Sequence, residues 1–174
     1  MGAPNLLQIF REPLKPGGEA EYKTVEDDTA RACAELNCPH PHLAVEPLTG
    51  PAEIWWLNGF ESEAEKQRVE EDYAKNRPLM AALERNGKRK HLVTGTPVNV
   101  YARYRSDLSH GDTWKLAGAR FLVVAVTAQD VAADGSVFEA PDGIRFVFIP
   151  ARTREQADLE ACSSSSSRCQ MPLK

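Results

Sequence analysis

One stretch, EIWWLNGFESEAE from Glu53 to Glu65, constrains the fold of this chain most. Its first half is almost wholly large and apolar, and it closes on the motif Ser62-x-x-Glu65. This pattern predicts a buried strand that leads into a helix with a capped first turn. Because Trp55 and Trp56 are adjacent, their side chains must point to opposite faces of that strand. Both faces therefore need a covering layer.

Clear periodicities before and after this stretch predict further strands and helices. Apolar residues alternate over residues 98–105, as in a strand, and recur at spacings of three and four over residues 19–36, as in an amphipathic helix. The resulting order predicts an α+β fold with a ferredoxin-like βαββαβ sheet and helices on one face. The predicted elements are strands 6–11, 42–48, 53–60 and 98–105, helices 19–36 and 62–75, and a short helix from Pro78 that ends at Asn86-Gly87.

A second group of strands follows this module and either extends its sheet or closes a barrel within one chain. A polar linker joins the two groups, and its Trp114 either anchors the linker or covers a pocket, with anchoring favoured. Thr153-x-x-Gln156 predicts the cap of a last short helix that reaches about Cys162. The strands predicted in this group are residues 120–127, 136–140 and 144–149.

These patterns divide the chain into three parts. Residues 1–105 form the ferredoxin-like α/β-barrel module, and residues 106–162 supply the C-terminal strands and short helix packed on the same core. Residues 163–174 are a low-complexity, serine-rich tail without apolar periodicity. Because such a segment cannot bury enough surface to order itself, we expect no element of secondary structure there.

Composition limits the function classes. With 42% hydrophobic and 26% charged residues, the 174-residue chain is typical of one globular domain. A net charge of -4 gives no general attraction to nucleic acid, and no apolar run approaches the roughly 18 residues that a membrane-spanning helix needs. The N-terminus lacks the pattern of a signal peptide, so we expect a cytoplasmic protein without nucleic-acid or membrane partners. Four irregularly spaced cysteines predict free thiols rather than a disulfide framework.

The segment Cys38-Pro39-His40-Pro41-His42 places one thiol and two imidazoles within five residues. Prolines hold such a segment extended, and ligands at every second position of a rigid extended chain do not easily converge on one ion. The sequence therefore favours a loop that leads into the second strand, and we predict no metal site. His42 and His91 lie at predicted loop or strand ends, where surface histidines are common.

The order of elements over about residues 5–105, with WWLNGFESEAEKQRVEEDYAKN in and after the third strand, resembles the dimeric α/β-barrel superfamily. Its members include the antibiotic-biosynthesis monooxygenases and the haem-degrading oxygenases. The resemblance implies two sheets paired face to face, helices outside, a ligand between sheet and helices, and a homodimer. Haem-degrading members are associated with an Asn, Trp and His set. Asn58, Trp55 or Trp56, and His91 match in type but not in order or spacing, so we assign them no catalytic role.

A homodimer also follows from the sheet itself, because a four-stranded sheet that is apolar on both faces leaves one face bare. The alternative is a monomer in which residues 106–162 cover that face. The candidates for ligand contact are Trp56, Asn58, Tyr101 and Arg103, since an apolar pocket needs only a few polar groups to orient its ligand. Trp56 is chosen over Trp55 because Asn58 shares its face. A buried amide must find a hydrogen-bond partner, which a ligand could supply.

The functional prediction is a small-molecule, monooxygenase-like enzyme with its pocket between sheet and helices. The alternative is a non-catalytic module that binds a ligand or another protein. No cofactor is predicted from the sequence. Haem or flavin would be compatible with the resemblance, but no motif in the sequence requires either.

Overall fold

The computed structural model describes residues 2–110, 114, 116, 118–129, 135–162 and 168–172. Within these residues the chain forms eight strands and four helices, in mixed order. The elements are β1 (Leu6–Pro13), α1 (Glu19–Glu35), β2 (Leu43–Val45), β3 (Glu53–Phe60), α2 (Glu63–Lys75), α3 (Arg77–Val93), β4 (Val98–Tyr104), β5 (Phe121–Thr127), β6 (Ser136–Glu139), β7 (Arg145–Ala151), α4 (Arg154–Cys162) and β8 (Arg168–Pro172).

All eight strands belong to one sheet, in the order β2-β3-β1-β4-β6-β7-β5-β8, and every neighbouring pair is antiparallel. β3, predicted from the EIWWLNGF run, lies between β2 and β1 and is hydrogen-bonded along both edges. In the register of β1 and β3, Ile9 is opposite Leu57 and Phe10 is opposite Trp56. The α+β class predicted from the sequence is confirmed.

One face of the sheet encloses a core to which both halves of the chain contribute. Trp55 and Leu57 share a buried cluster with Phe146 and Phe148 of β7. The ring centroids of Trp55 and Phe146 are 6.3 Å apart, in an edge-to-face arrangement. The second group of strands thus continues the first sheet, through β4 and β6, and also covers its inner face within one chain.

This cover by residues of the same chain matches the monomer alternative and removes the bare face on which the sheet-based argument for a homodimer depended. The homodimer itself stays a prediction. Trp114 packs edge-on against Phe138 and Phe148, with centroid distances of 5.2 Å and 5.8 Å. The prediction that Trp114 anchors the linker is therefore confirmed, whereas linker residues 111–113, 115 and 117 lie outside the described residues.

Helices α1, α2 and α3 pack on the other face of the sheet. Tyr22 and Val25 of α1 are buried, and Val69 of α2 packs against Leu6 and Phe60. None of the described helices has the length and the apolar character that crossing a membrane requires.

The start of α2 is capped as the sequence predicts. The Glu65 backbone N–H donates to Ser62 Oγ at 3.1 Å, and the Glu65 carboxylate accepts from the Glu61 N–H at 2.6 Å. Two donors that the helix itself cannot satisfy thereby gain partners, which fixes where α2 leaves β3.

Helix α3 is longer than predicted, because it continues through Asn86-Gly87 to Val93. Asn86 is buried and donates to Thr29 Oγ1 of α1 at 3.0 Å, and Arg89 donates to Asp28 of α1 at 2.7 Å. These contacts between helices outweigh the weak local preference of an Asn-Gly pair for ending a helix.

The tail also differs from its prediction, because residues 168–172 form β8 and pair with β5. A strand at a sheet edge presents unpaired N–H and C=O groups, and a partner can pair with them without any apolar periodicity. Residues 163–167 and 173–174 lie outside the described residues.

Candidate functional site

Cavities open between the helix-side face of the sheet and the helices, and three of them are lined by both Trp56 and Glu26. Their volumes are about 310, 550 and 640 Å³. The cavity of about 310 Å³ is also lined by Asn58 and has apolar walls at Phe10 and Leu83. The polar groups in its wall belong to Gln8, Glu12, Glu26, Thr29, His42, Asn58, Tyr73 and Lys90.

His42 is the centre of a hydrogen-bonded chain along this cavity. Its Nδ1 lies 2.5 Å from Asn58 Oδ1, and its Nε2 lies 2.6 Å from the Tyr73 hydroxyl. Since an amide oxygen only accepts, Nδ1 must carry a proton and donate to it. In a neutral ring Nε2 then accepts, and the Tyr73 hydroxyl donates to it.

The chain continues at both ends. The Asn58 Nδ2 donates to Gln8 Oε1 at 3.0 Å, in agreement with an Asn58 oxygen that faces His42. At the other end, the Cys38 Sγ lies 2.8 Å from the Tyr73 hydroxyl. With the hydroxyl proton directed at His42, the Cys38 thiol donates to the tyrosine oxygen. All donors between Cys38 and Gln8 therefore point in one direction along the cavity wall.

The position of Trp56 and Asn58 in the cavity wall agrees with the face assigned to them, but the expected state of the amide is wrong. Asn58 is 8% exposed, and both ends of its side-chain amide have protein partners. A ligand is therefore not needed to satisfy it. His42, expected as an ordinary surface residue, is exposed and at the same time holds the Asn58 oxygen.

A charged cluster borders the other side of Trp56. The Trp56 indole N–H donates to the Glu12 carboxylate at 3.0 Å, and the Tyr22 hydroxyl donates to the same oxygen at 2.6 Å. The Lys90 ammonium forms ion pairs with Glu12 and Glu26 and lies 5.1 Å from the centroid of the Trp56 ring. These contacts fix the plane of the indole, so Trp56 presents a rigid face to the cavities.

Burial changes the titration of this cluster. It raises the pKa of the Glu26 carboxyl above its ordinary value, and the Lys90 ammonium opposes that rise. It also raises the pKa of the Tyr73 hydroxyl, and a hydrogen bond with Cys38 adds to the effect. Tyr73 is therefore a protonated donor at neutral pH.

Tyr101 and Arg103 do not join the cavity that Trp56 and Asn58 share. Tyr101 packs against the cluster of Leu6, Phe60 and Val69. The Arg103 side chain is 70% exposed and donates to Glu63 at 2.8 Å. Their ligand-contact role stays a prediction, and the structure places them with α2 rather than with Trp56.

The thiol and imidazole groups of the Cys-Pro-His-Pro-His segment lie closer together than predicted. Cys38 Sγ and His42 Nε2 are 3.7 Å apart, whereas the ring of His40 stacks on Phe60 with centroids 4.7 Å apart. The His40 ring also lies edge-on to the His42 ring, with centroids 6.0 Å apart, so all three side chains lie near one another while Phe60 holds the His40 ring. Within the part of the chain that the structure describes, no group of three or more His, Cys, Asp and Glu residues could hold a metal ion.

Comparison with known proteins gives matches of fold only. No family model matches the chain, and no curated protein is similar to it in sequence. A crystal structure from Fusobacterium nucleatum, described as a putative monooxygenase, aligns with 100% of this chain and 93% of its own, at a TM-score of 0.58 and 10% identity.

Two other solved structures are similar. One, from Lactobacillus acidophilus and also described as a putative monooxygenase, aligns with 98% of this chain and 93% of its own, at a TM-score of 0.55 and 8% identity. The other, a mutant chlorite dismutase from Candidatus Nitrospira defluvii, aligns with 98% of this chain and 92% of its own, at a TM-score of 0.51 and 7% identity. The chain shares the α+β barrel fold of these proteins.

Neither His91, the histidine compared with the haem-degrading proteins, nor His42 in the cavity wall fits the binding of haem. Both ring nitrogens of His42 are engaged, by Asn58 and by Tyr73, so neither is directed at an open position where iron could bind. His91 is exposed, and Trp55 lies on the opposite face of the sheet from Asn58. We therefore assign haem no part in the chemistry of this site.

Sequence reasoning missed Tyr73, Glu26, Lys90 and the role of His42. Tyr73 and Lys90 lie on amphipathic helices, where such residues are usually surface or boundary positions. The only signal for His42 was its position just before β2, the strand that neighbours β3. It lies two residues before Ala44, and Ala44 pairs with Trp56. Strand order, which the sequence does not state, brings it to Asn58.

Proposed function

We propose that the chain is a monooxygenase-like enzyme that binds a small aromatic molecule in the cavity beside Trp56 and Asn58. The observation that carries this proposal is the ordered hydrogen-bonded chain from Tyr73 through His42 to Asn58 in the cavity wall. Such a chain can accept a proton from a bound molecule. The two similar structures described as putative monooxygenases support the reaction class.

Shape and composition favour a small, flat ligand. The volume of about 310 Å³ is near the lower end of the roughly 300 to 1,000 Å³ typical of ligand pockets. Trp56 offers a rigid aromatic face, and Phe10 and Leu83 add apolar surface. An aromatic ring stacked there would place its polar groups against His42 and Asn58.

The proposed reaction uses electrons of the substrate itself. An activated aromatic CH₂ group and one O₂ molecule give a C=O group and one water molecule, so atoms and electrons balance. The protein's task is to remove a proton from the CH₂ group. The Tyr73 oxygen receives that proton while its own proton passes to His42 Nε2, and the Asn58 oxygen stabilises the resulting imidazolium through Nδ1–H.

Oxygen uptake tests the proposal. Purified protein is given a panel of small hydroxylated and CH₂-activated aromatics, and O₂ consumption and product are measured together. For a molecule that is turned over, His42→Ala should lower kcat by at least about 100-fold, the usual contribution of a positioned acid or base. His91→Ala is the matched control, because His91 is an exposed histidine that does not line the cavity, and it should retain full activity.

Binding without turnover would favour the alternative, a non-catalytic ligand-binding or protein-interaction module. Quenching of tryptophan fluorescence that is lost in Trp56→Phe, with no O₂ uptake for any bound compound, would give that result.

The proposal also includes the ferredoxin-like, dimeric form of the barrel, which the resemblance implies, and a cytoplasmic location, which the composition implies.

A further inference from the structure

We propose that Cys38, His42, Asn58 and Cys33 form a thiol redox site that reduces a small hydroperoxide and ends as a Cys33–Cys38 disulfide. This activity needs no aromatic substrate and no O₂, so it stands or falls independently of the oxygenase proposal. Two separate features of the structure support it. The first is a base and its orienting group beside the Cys38 thiol, and the second is the end of α1, which places a second thiol, that of Cys33, in the wall of the same cavity.

The first feature is the arrangement of Cys38, His42 and Asn58. His42 Nε2 lies 3.7 Å from Cys38 Sγ, and the Asn58 oxygen accepts from the opposite ring nitrogen at 2.5 Å. A nucleophile within reach of a base, with the base held by a third group, is the arrangement that activates thiols in proteins. Once the thiol proton has passed to His42 Nε2, the Tyr73 hydroxyl no longer donates to that nitrogen and, at 2.8 Å from the sulfur, can donate to the thiolate.

The second feature follows from how α1 ends. Leu36 is the C-cap, Asn37 has a positive φ of 55°, and the Cys38 N–H donates to the Cys33 carbonyl oxygen at 2.9 Å. This is a Schellman motif, which normally brings the side chains at the positions of Cys33 and Cys38 into contact. Here both are cysteines, and they are free thiols in the structure.

The two thiols have different roles because their surroundings differ. Burial, and then a hydrogen bond with the Cys38 side chain, raise the pKa of the Cys33 thiol to about 12. Cys33 is therefore a protonated thiol that attacks second, whereas Cys38, with the base and the tyrosine donor, attacks first. Both are half-buried and line the cavity of about 550 Å³, through which a small peroxide can enter.

The reaction is balanced in two steps. In the first step the Cys38 sulfur attacks one peroxide oxygen and the O–O bond breaks. The leaving oxygen takes the thiol proton through His42. The products are a Cys38 sulfenic acid and one molecule of water or alcohol. The Cys33 sulfur then attacks the Cys38 sulfur, the S–O bond breaks, and hydroxide leaves with the Cys33 proton as water. Two thiols are oxidised by two electrons in total, and the peroxide is reduced by two.

The experiment uses the full chain carrying Cys162→Ser and Cys169→Ser, so that only the proposed pair remains. The protein is treated with equimolar hydrogen peroxide, quenched by alkylation and digested with trypsin without reduction. Trypsin leaves both thiols in one peptide, residues 32–66, because that segment contains no internal Lys or Arg. The expected product is this peptide, unalkylated and lighter by two hydrogen atoms.

Variants separate the roles. Cys33→Ser should stop at a Cys38 sulfenic acid that a 1,3-diketone reagent traps, and Cys38→Ser should leave Cys33 reduced. His42→Ala should slow the first step at least tenfold, whereas His91→Ala should not change it. The proposal is overturned if Cys33 is trapped as readily as Cys38, if His42→Ala and His91→Ala react alike, or if peptide 32–66 keeps both thiols while the peroxide persists. Near-UV circular dichroism of each variant verifies that it is folded.

Discussion

Replacing Asn58 by leucine tests whether its amide serves the site through His42. Leucine has a similar volume, so the change removes two hydrogen bonds, one accepted from His42 Nδ1 at 2.5 Å and one donated to Gln8 at 3.0 Å, without opening a large space. At about 0.5 to 1.5 kcal/mol for each bond, the free energy of unfolding should fall by about 1 to 3 kcal/mol. From sequence alone a ligand could have supplied the partner of this amide; because the protein itself supplies both partners, we expect the replacement to lower stability.

A double-mutant cycle isolates the bond between Asn58 and His42. The free energies of unfolding of the parent, Asn58→Leu, His42→Ala and the double variant are measured by urea denaturation. If the bond is formed, the two changes should be non-additive by about 1 kcal/mol, because either change alone already removes it. Additivity within about 0.3 kcal/mol would refute the bond and, with it, the tautomer assigned to His42. Pairing Asn58→Leu with His91→Ala gives the additive reference.

Three further predictions concern pH, the tail and assembly. Glu26 has a raised pKa in the folded protein, so the unfolded chain loses this proton first as pH rises. The contribution of Glu26 to stability should therefore decline from about pH 4.3 upward. Urea titrations at several pH values should show that the free energy of unfolding depends less on pH in Glu26→Gln. Deleting residues 163–174 removes β8 from the edge of β5 and should lower the thermal midpoint in calorimetry by at least about 3 °C, whereas an unchanged midpoint would mean that β8 adds nothing. Light scattering should give the mass of a homodimer, and a monomer mass would contradict the prediction.

The sequence was sufficient for elements whose signal is local. The Trp55-Trp56 pair required cover on both faces, and Trp55 indeed lies in the inner core while Trp56 faces the helices. The cap at Ser62 was likewise readable, because its hydrogen bonds join residues only a few positions apart.

The sequence was insufficient where distant segments decide the outcome. The length of α3 depends on contacts of Asn86 and Arg89 with α1, and β8 forms because β5 has a free edge. The site depends in the same way on strand order and helix packing. His42, Asn58 and Tyr73 come from a loop, a strand and a helix, and no spacing rule links such positions.

The polar groups on the helix-side face of the sheet are more than this fold requires. Gln8, Glu12 and Asn58 occupy positions of β1 and β3 where apolar residues would pack equally well against helices, and buried polar networks often contribute less stability than apolar replacements. Each of the three has a partner, so the face is not a defect in packing. This face keeps its polar groups and gives them hydrogen-bond partners, and cavities lie beside them. The donors between Cys38 and Gln8 also point in one direction. Ligand binding or proton transfer explains these features better than folding does.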